Sequence, residues 1–387
     1  MNRTPAVPIS VDETGAIALD TSIFDQYKGR FDSGLLRRVT QFQYGGRVKV
    51  LVPDLIRREV LAHLTSDALT AAENLEKALR NAKFAQLVSP GDADQMLNSL
   101  GDPAGEAEHR LSEWLERTGA EVVNCAARVD LGRLFDRYFA AQPPFADTAT
   151  KKAEFPDAAV LMAVEHWADE HNTRVLLVSR DGDWERFCQD HPRLQCVSDL
   201  GAALSAFQDE NAQFIARRFA DAEPETPPPA IVEAVFNEPS KFSELITFVL
   251  LDPTWRPGLR WSHIIKVHAV NWPTASGMRE FEAVDYRDGK VVVRVSLALT
   301  VELHAHFMVL QSPGSAEPPR LVEGWDHTTY QTVPIDALVT LDGGLKEKVK
   351  VDRVEFLPTT FAYSLFNNIP DIQASDRDEG LGYHAFD

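Results

Sequence analysis

The chain has 387 residues, of which 44% are hydrophobic and 25% charged. This is an ordinary globular composition, which excludes wholesale disorder, a collagen-like repeat and a coiled coil, and the length predicts two or three domains. The formal net charge of -19 argues against a protein that coats nucleic acid nonspecifically, because such proteins present a basic surface. A site built from clustered carboxylates stays compatible with this charge, since bound divalent ions reverse its local sign.

Cysteine content and apolar runs predict the compartment. Three cysteines (Cys125, Cys188 and Cys196) without a CxxC pair provide neither a disulfide framework nor a zinc knuckle, which indicates a reducing environment. No apolar run reaches the ~18 residues that a spanning helix needs. The first residues show no apolar stretch followed by a cleavage site, so we expect no signal peptide. We therefore predict a cytoplasmic protein without membrane association.

A proline-rich stretch divides the chain. Residues 221–230 read DAEPETPPPA, and consecutive prolines favour a stiff, extended spacer. Before this stretch, short apolar runs alternate with helical periodicity; after it, a period of two dominates. The pattern predicts a first domain over 1–222, a linker over 223–230 and a second, β-rich (α+β) domain over 231–387.

The first domain has the alternation of an α/β fold. Short apolar runs predict strands at 17–20, 48–52, 174–178 and 194–197. Between them, periodicity predicts helices over most of 22–44, with breaks at Gly29 and Gly34, and over 54–64. Further helices are predicted over much of 67–118, with breaks at 89–91 and 101–103, and over 128–140 and 156–171. Strands that alternate with helices imply a parallel sheet covered on both faces.

The second domain is predicted to be mainly antiparallel. Residues 240–251 have the pattern of a helix, and strands are predicted at 262–270, 280–286, 290–310, 321–333 and 339–357. Asp288-Gly289 is a strong hairpin signal between two of them. A further turn is expected at 342–344.

Acidic residues follow the predicted strands of the first domain. Asp20 ends the first strand, and Asp181 and Asp183 follow the strand at 174–178. Asp157 lies in the first turn of a helix, and Glu59 lies in the helix after the second strand. Because ligands of open parallel sheets bind outside the carboxyl ends of the strands, we expect these acids to share one edge.

Clustered carboxylates have a definite chemistry. Left unpaired, they repel one another and some become protonated, and a divalent cation removes that cost. Mg²⁺ and Mn²⁺ prefer oxygen ligands and keep places for water and phosphate oxygens. Such a site can activate water and stabilise a leaving oxygen, which suits hydrolysis of a phosphodiester.

The first 200 residues resemble a PIN-like nuclease domain, in particular the larger bacterial PIN-like proteins. The matching segments are IALDTS at 17–22, VPDLIRREV at 52–60, KKAEFPDAA at 151–159 and VSRDGDW at 178–184. The resemblance implies a Mg²⁺- or Mn²⁺-dependent endoribonuclease that acts on RNA. Carried over by motif, it implies that the catalytic and metal-binding acids are Asp20, Glu59, Asp157 and Asp181, with Asp183 as an accessory ligand. It also implies that Thr21 or Ser22 orients the first carboxylate or a water.

Basic residues near these motifs are candidates for contacts to the substrate. Lys151 and Lys152 precede the third acid, and Arg180 precedes the fourth, so all three could meet phosphate oxygens. An alternative is that they are ordinary surface charges. The resemblance does not reach residues 231–387, where we expect a role in selecting substrate, binding a protein partner or forming a homo-oligomer. By analogy with the family, a toxin or defence role is a further hypothesis.

The sequence alone is also compatible with other interpretations. Asp20, Asp157 and Asp181 could each be a helix cap or turn residue, and Glu59 could lie on a solvated helix face. A haloacid-dehalogenase-like phosphatase also has an aspartate after its first strand, but it needs a second one two residues later, where this chain has Ser22. A PIN-like module without activity, serving as a scaffold, is the third reading.

Overall fold

The structure is a computed structural model that describes residues 9–145, 154–222, 225–250, 259–273, 281–311, 320–342 and 349–363. The chain divides into two compact units. The first comprises Met1–Arg218, Phe281–Arg294 and Val339–Glu355, and the second comprises Phe219–Glu280, Val295–Leu338 and Phe356–Asp387. The first unit thus takes two segments from the C-terminal half of the chain, and the domain boundary at 223–230 stays a prediction.

The helices alternate with strands through the first half of the chain. In chain order they are α1 Thr21–Gln26, α2 Gly34–Arg38, α3 Gln41–Gly45, α4 Asp54–Phe84, α5 Pro90–Asn98, α6 Pro103–Thr118, α7 Leu131–Phe139, α8 Phe155–Glu170, α9 Gly182–Gln189, α10 Leu200–Ala206, α11 Glu210–Ala222, α12 Pro229–Asn237 and α13 Lys241–Leu245. A short 3-10 helix, Val11–Glu13, precedes the first strand.

The strands form a parallel sheet and, later in the chain, an antiparallel one. They are β1 Thr14–Leu19, β2 Lys49–Pro53, β3 Glu121–Val123, β4 Arg174–Val178, β5 Leu194–Val197, β6 Ile246–Leu250, β7 Leu259–Asn271, β8 Phe281–Arg287, β9 Lys290–Gln311, β10 Arg320–Asp342, β11 Lys350–Phe356 and β12 Thr359–Tyr363. The larger C-terminal sheet has the order β11-β10-β9-β7, with β8 also paired to β9, and β12 pairs with β6.

The sheet of the first unit has five parallel strands in the order β3-β2-β1-β4-β5. Its centre is buried on both faces: Ile17 and Leu176 on one face, and Ala18 and Leu177 on the other, are at most 1% exposed. Apolar runs without alternation are typical of a parallel sheet covered by helices. The predicted fold class, a PIN-like sheet flanked by helices and followed by a β-rich region, is confirmed. The short strand β3 was not predicted.

The helical segment predicted over 22–44 is interrupted where breaks were predicted, around Gly29 and just before Gly34. It forms three short helices, α1 to α3. The backbone takes left-handed conformations at Lys28, Gly29 and Gly34, with φ of 52°, 55° and 64°. An α-helix cannot continue through a left-handed residue, and glycine adopts that conformation without strain.

Helix α4 is longer than the helix predicted over 54–64. It continues without a break for 31 residues, through Thr65 and Ser66, to Phe84. No glycine or proline interrupts this stretch, so the polar pair at 65–66 is a solvated part of the helix and does not end it.

Part of the second unit also differs from prediction. The helix predicted over 240–251 ends at Leu245, and β6 follows and pairs in parallel with β12, Ile246 opposite Thr359. The prediction failed because strand partners more than 100 residues apart leave no local signal. Residues 321–333 form a strand as predicted, but the break predicted after 333 is wrong, since β10 continues through the exposed Pro334 to Asp342. The strand predicted over 339–357 is therefore divided between the end of β10 and β11.

Two other predictions concern turns. At the predicted hairpin, Asp288 and Gly289 have φ of 53° and 78°, and the hairpin between β8 and β9 is confirmed. These are the left-handed conformations that a two-residue hairpin turn requires. Of the turn expected at 342–344, residues 343 and 344 lie outside the described residues. In the described part of the chain, no helix is long and apolar enough to cross a membrane.

Candidate active site

Asp20 lies directly after β1, at the N-terminus of α1, and is 6% exposed. Its backbone N–H donates to the carbonyl of Val178 in β4 (2.9 Å). Its Oδ2 accepts hydrogen bonds from Ser22 Oγ (2.5 Å) and Ser179 Oγ (2.8 Å). Burial raises the pKa of Asp20, and the hydroxyl hydrogen bonds oppose part of that rise. An unpaired negative charge on Asp20 therefore lowers the stability of the folded protein.

Ser179 connects the ends of β1 and β4. Its Oγ donates to Asp20 and accepts from the backbone N–H of Asp181 (3.0 Å). Asp181 in turn begins α9, accepting from the N–H of Asp183 (2.8 Å). We assigned no role to Ser179 from the sequence. The available signal was a serine two residues before Asp181, at the end of a buried strand.

Glu59 is held toward α1. Its Oε2 accepts a hydrogen bond of 2.7 Å from the hydroxyl of Thr21, the first residue of that helix. Thr21 is 5% exposed, so its hydroxyl has a fixed place from which to orient the carboxylate. Glu59 therefore belongs to the same edge of the sheet as Asp20, although it lies on an exposed turn of α4.

Asp157 lies in the first turn of α8, where its Oδ1 accepts from the indole Nε1 of Trp184 (3.2 Å). Burial raises the pKa of Asp157 most, and the negative charges of Asp20, Asp181 and Glu59 add to the rise in that order, while the hydrogen bond from Trp184 opposes it; the resulting pKa is about 6. These three acids are therefore close enough to Asp157 to change its titration. Trp184, which we did not single out from the sequence, is the buried residue that positions it.

The remaining predicted residues have mixed outcomes. Asp183 is adjacent to the site but forms an ion pair with Arg186 within α9. Ser22 bonds Asp20 and also accepts from the backbone N–H of Arg180 (3.2 Å), whose side chain is exposed. Lys151 and Lys152 lie outside the described residues.

The donor chemistry of this edge suits a hard divalent ion. As the side chains stand, no three His, Cys, Asp or Glu residues of the described segments are grouped to hold a metal. Each acid is instead held by its own hydrogen bond to a serine, a threonine, an indole or a backbone N–H. Carboxylate oxygens are nevertheless the ligands that Mg²⁺ and Mn²⁺ prefer, and their mutual repulsion at Asp157 is the cost that a cation would remove.

Comparison with protein families accounts for this arrangement. Residues 17–184 match the family model of the PIN domain. The N-terminal region is a PIN domain. The match includes all four acids of the site, and PIN domains are nuclease folds that act on nucleic acids and generally use divalent metal ions. Neither the comparison with curated proteins nor that with solved structures gave a match.

Replacing Ser179 with Ala tests the link between Asp20 and Asp181. The substitution removes a donor to Asp20 and an acceptor from the Asp181 backbone, so we expect a loss of about 1–3 kcal/mol in unfolding free energy. Urea unfolding measures this loss. Ser205→Ala is a control, since Ser205 Oγ also accepts a hydrogen bond but lies in α10. Equal, small effects of both substitutions would show that Ser179 does not support the site.

The raised pKa of Asp157 predicts a pH dependence of stability. Folding raises this pKa from 3.8 to about 6, so the folded state binds the proton more tightly. The free energy of unfolding in EDTA should therefore fall as the pH rises from about 4 to about 6. The Asp157→Asn variant should not show this fall in unfolding free energy. The control variant Asp136→Asn, on the exposed side of α7, should still show it. Identical pH profiles for Asp157→Asn and the unmodified protein would contradict the prediction.

Proposed function

We propose that the PIN domain is a Mg²⁺- or Mn²⁺-dependent endoribonuclease. Its catalytic and metal-binding acids would be Asp20, Glu59, Asp157 and Asp181, with Asp183 accessory. One observation carries the proposal: the charges of the other three acids raise the pKa of Asp157. The charges of acids from separate segments thus act on Asp157 at the carboxyl edge of a parallel sheet, which supports a site there, because such folds bind ligands at that edge.

The surrounding side chains would position these acids. Ser22 and Ser179 fix the Oδ2 of Asp20, and Thr21 fixes Glu59. The indole of Trp184 directs Asp157. When bound, the ion would supply a water of lowered pKa and stabilise the leaving oxygen. The exposed Arg180, next to Asp181, would contact a phosphate oxygen of the substrate.

Cleavage of circular RNA provides the direct test. A single-stranded circular RNA is converted to a linear product only by an endonuclease. We expect linear and shorter products with Mn²⁺, and none in EDTA. A matching circular DNA separates the two nucleic acids, and p-nitrophenyl phosphate separates a nuclease from a phosphatase. Hydrolysis of the ester with intact RNA would favour the phosphatase, and no turnover of any substrate would favour a scaffold.

The proposal also covers the role of residues 231–387 and the biological role of the protein. We assign to 231–387 the selection of RNA or the binding of a protein partner or second copy. A cytoplasmic toxin or defence effector is the matching role. Growth arrest on expression, and its loss in Asp20→Asn, would support that role.

A further inference from the structure

A pocket of about 290 Å³ lies between α1 and α4, beside the acidic site. Its lining includes Phe24, Asp25, Lys28, Val60, His63 and Asp67. None of these residues has a part in the site described above. The pocket thus combines an apolar wall with a few charged groups, which is the usual character of a site for a small organic group.

The pocket and the acidic site share the same two helices. Helix α1 begins with Thr21, which donates to Glu59, and one turn later provides Phe24 and Asp25. Helix α4 carries Glu59 and, one turn later, His63. The charge of Glu59 raises the pKa of His63, which shows that the two side chains are close. The pocket therefore lies next to the acidic site, one helical turn further along both helices.

His63 is held in one orientation by Asp25. Its Nδ1 lies 3.0 Å and 3.1 Å from the two carboxylate oxygens of Asp25, so Nδ1 carries a proton. The hydrogen bond to Asp25 is the largest cause of the raised pKa of His63. Among the described residues no hydrogen-bond partner is found for Nε2. The imidazole is thus fixed, and its second nitrogen is left for a ligand.

The charges of the pocket favour a base over a phosphate. The basic residues Lys28 and His63 are balanced by the acidic residues Asp25 and Asp67. Such a pocket offers hydrogen-bond donors and acceptors without a strong net field, and Phe24 adds an apolar surface. Unpaired bases of single-stranded RNA are recognised in this way, by hydrogen bonds to their edges and contact with their faces.

We propose that this pocket is a subsite for the base and ribose of the nucleotide next to the cleaved bond, with His63 Nε2 bonded to the edge of the base. The inference rests on the proposed nuclease function, because it takes the acidic site as the place of cleavage. It would give the enzyme a preference for one base, read from an unpaired strand.

Binding of fluorescent oligonucleotides to the full chain tests this subsite. Every protein sample carries Asp20→Asn, so that the bound RNA is not expected to be cleaved. Fluorescence anisotropy is measured with four homopolymeric RNA oligonucleotides, one for each base. We expect one base to bind best, and His63→Ala to weaken that binding about tenfold, as for loss of a hydrogen bond. His109→Ala is the matched control: His109 is also paired with an acid, Glu113, but does not line the pocket. We expect it to have no effect.

A second measurement avoids any effect of substitution on folding. The protein that keeps His63 is tested with an oligonucleotide that has abasic sites. We expect this oligonucleotide to bind as weakly as the intact oligonucleotide binds the His63→Ala variant. Equal affinity for intact and abasic strands, or equal binding by His63→Ala and His109→Ala, would overturn the subsite. Failure of the nuclease proposal appears separately, as circular RNA left uncut by the unmodified enzyme with Mn²⁺.

Discussion

Replacing Asp20 with Asn is expected to abolish metal-dependent RNA cleavage while the melting temperature in EDTA stays the same or rises. The amide keeps the shape of the carboxyl group and can accept from Ser22 and Ser179. It removes a buried negative charge whose pKa is raised, and which therefore opposes folding at neutral pH. It would also remove one of the proposed metal ligands. Several kcal/mol of transition-state stabilisation correspond to a rate loss on the order of a thousandfold.

The matched control for this substitution is Asp130→Asn. Asp130 also begins a helix, α7, and accepts from the N–H of Gly132, but it lies outside the acidic site. We expect it to lose up to about 1 kcal/mol of stability and to keep its activity. Cleavage assays and thermal unfolding measure both variants. A large fall in melting temperature for Asp20→Asn, with cleavage retained, would show that Asp20 is structural.

Replacing Arg38 with Ala is expected to cost about 3–5 kcal/mol of unfolding free energy. Arg38, at the end of α2, pairs with Asp285 (3.5 Å) and Glu355 (2.9 Å), and all three side chains are at most 11% exposed. Burial already raises the pKa of Asp285, and the charge of Arg38 opposes that rise. Without Arg38, two acids would stay buried within the first unit without their main partner, although Arg353 also pairs with Glu355.

Urea unfolding of Arg38→Ala and of Arg37→Ala measures this effect. Arg37 is the exposed neighbour in the same helix, so its loss should change stability little. Adding Asp285→Asn to Arg38→Ala removes one orphaned charge and should recover part of the loss. Similar midpoints for the two arginine variants would show that the buried pairs contribute nothing net.

The parallel sheet could be predicted because its strands are continuous apolar runs, such as 174–178, separated by helical periodicity. The acids could be expected at one edge because each follows a strand or begins a helix there. The resemblance indicated Thr21 or Ser22 as a partner of the first carboxylate, but the hydrogen bond of Ser179 to Asp20 could not be predicted. It depends on the register that places Leu19 opposite Val178 and so brings Ser179 to Asp20. Register in a parallel sheet is set by packing on both faces, which local sequence does not show.

The set of chain segments that form the first unit could not be predicted either. Nothing near Arg38 in the sequence indicates partners at 285 and 355, since a buried arginine and a solvated one have the same local pattern. The strand β6 was missed for a similar reason, because its partner Thr359–Tyr363 lies far along the chain. Contacts between distant segments decide such features, and a single sequence contains little trace of them.

The pairing of Arg38 with Asp285 and Glu355 also has a consequence for protein synthesis. A ribosome releases the N-terminal strands and the four acids long before it reaches codon 355. Until then the guanidinium of Arg38 lacks both carboxylates, and the unit that carries the acids is incomplete. A nascent chain therefore finishes this unit only after codon 355 has been translated, which would delay the proposed cleavage of RNA by the growing polypeptide.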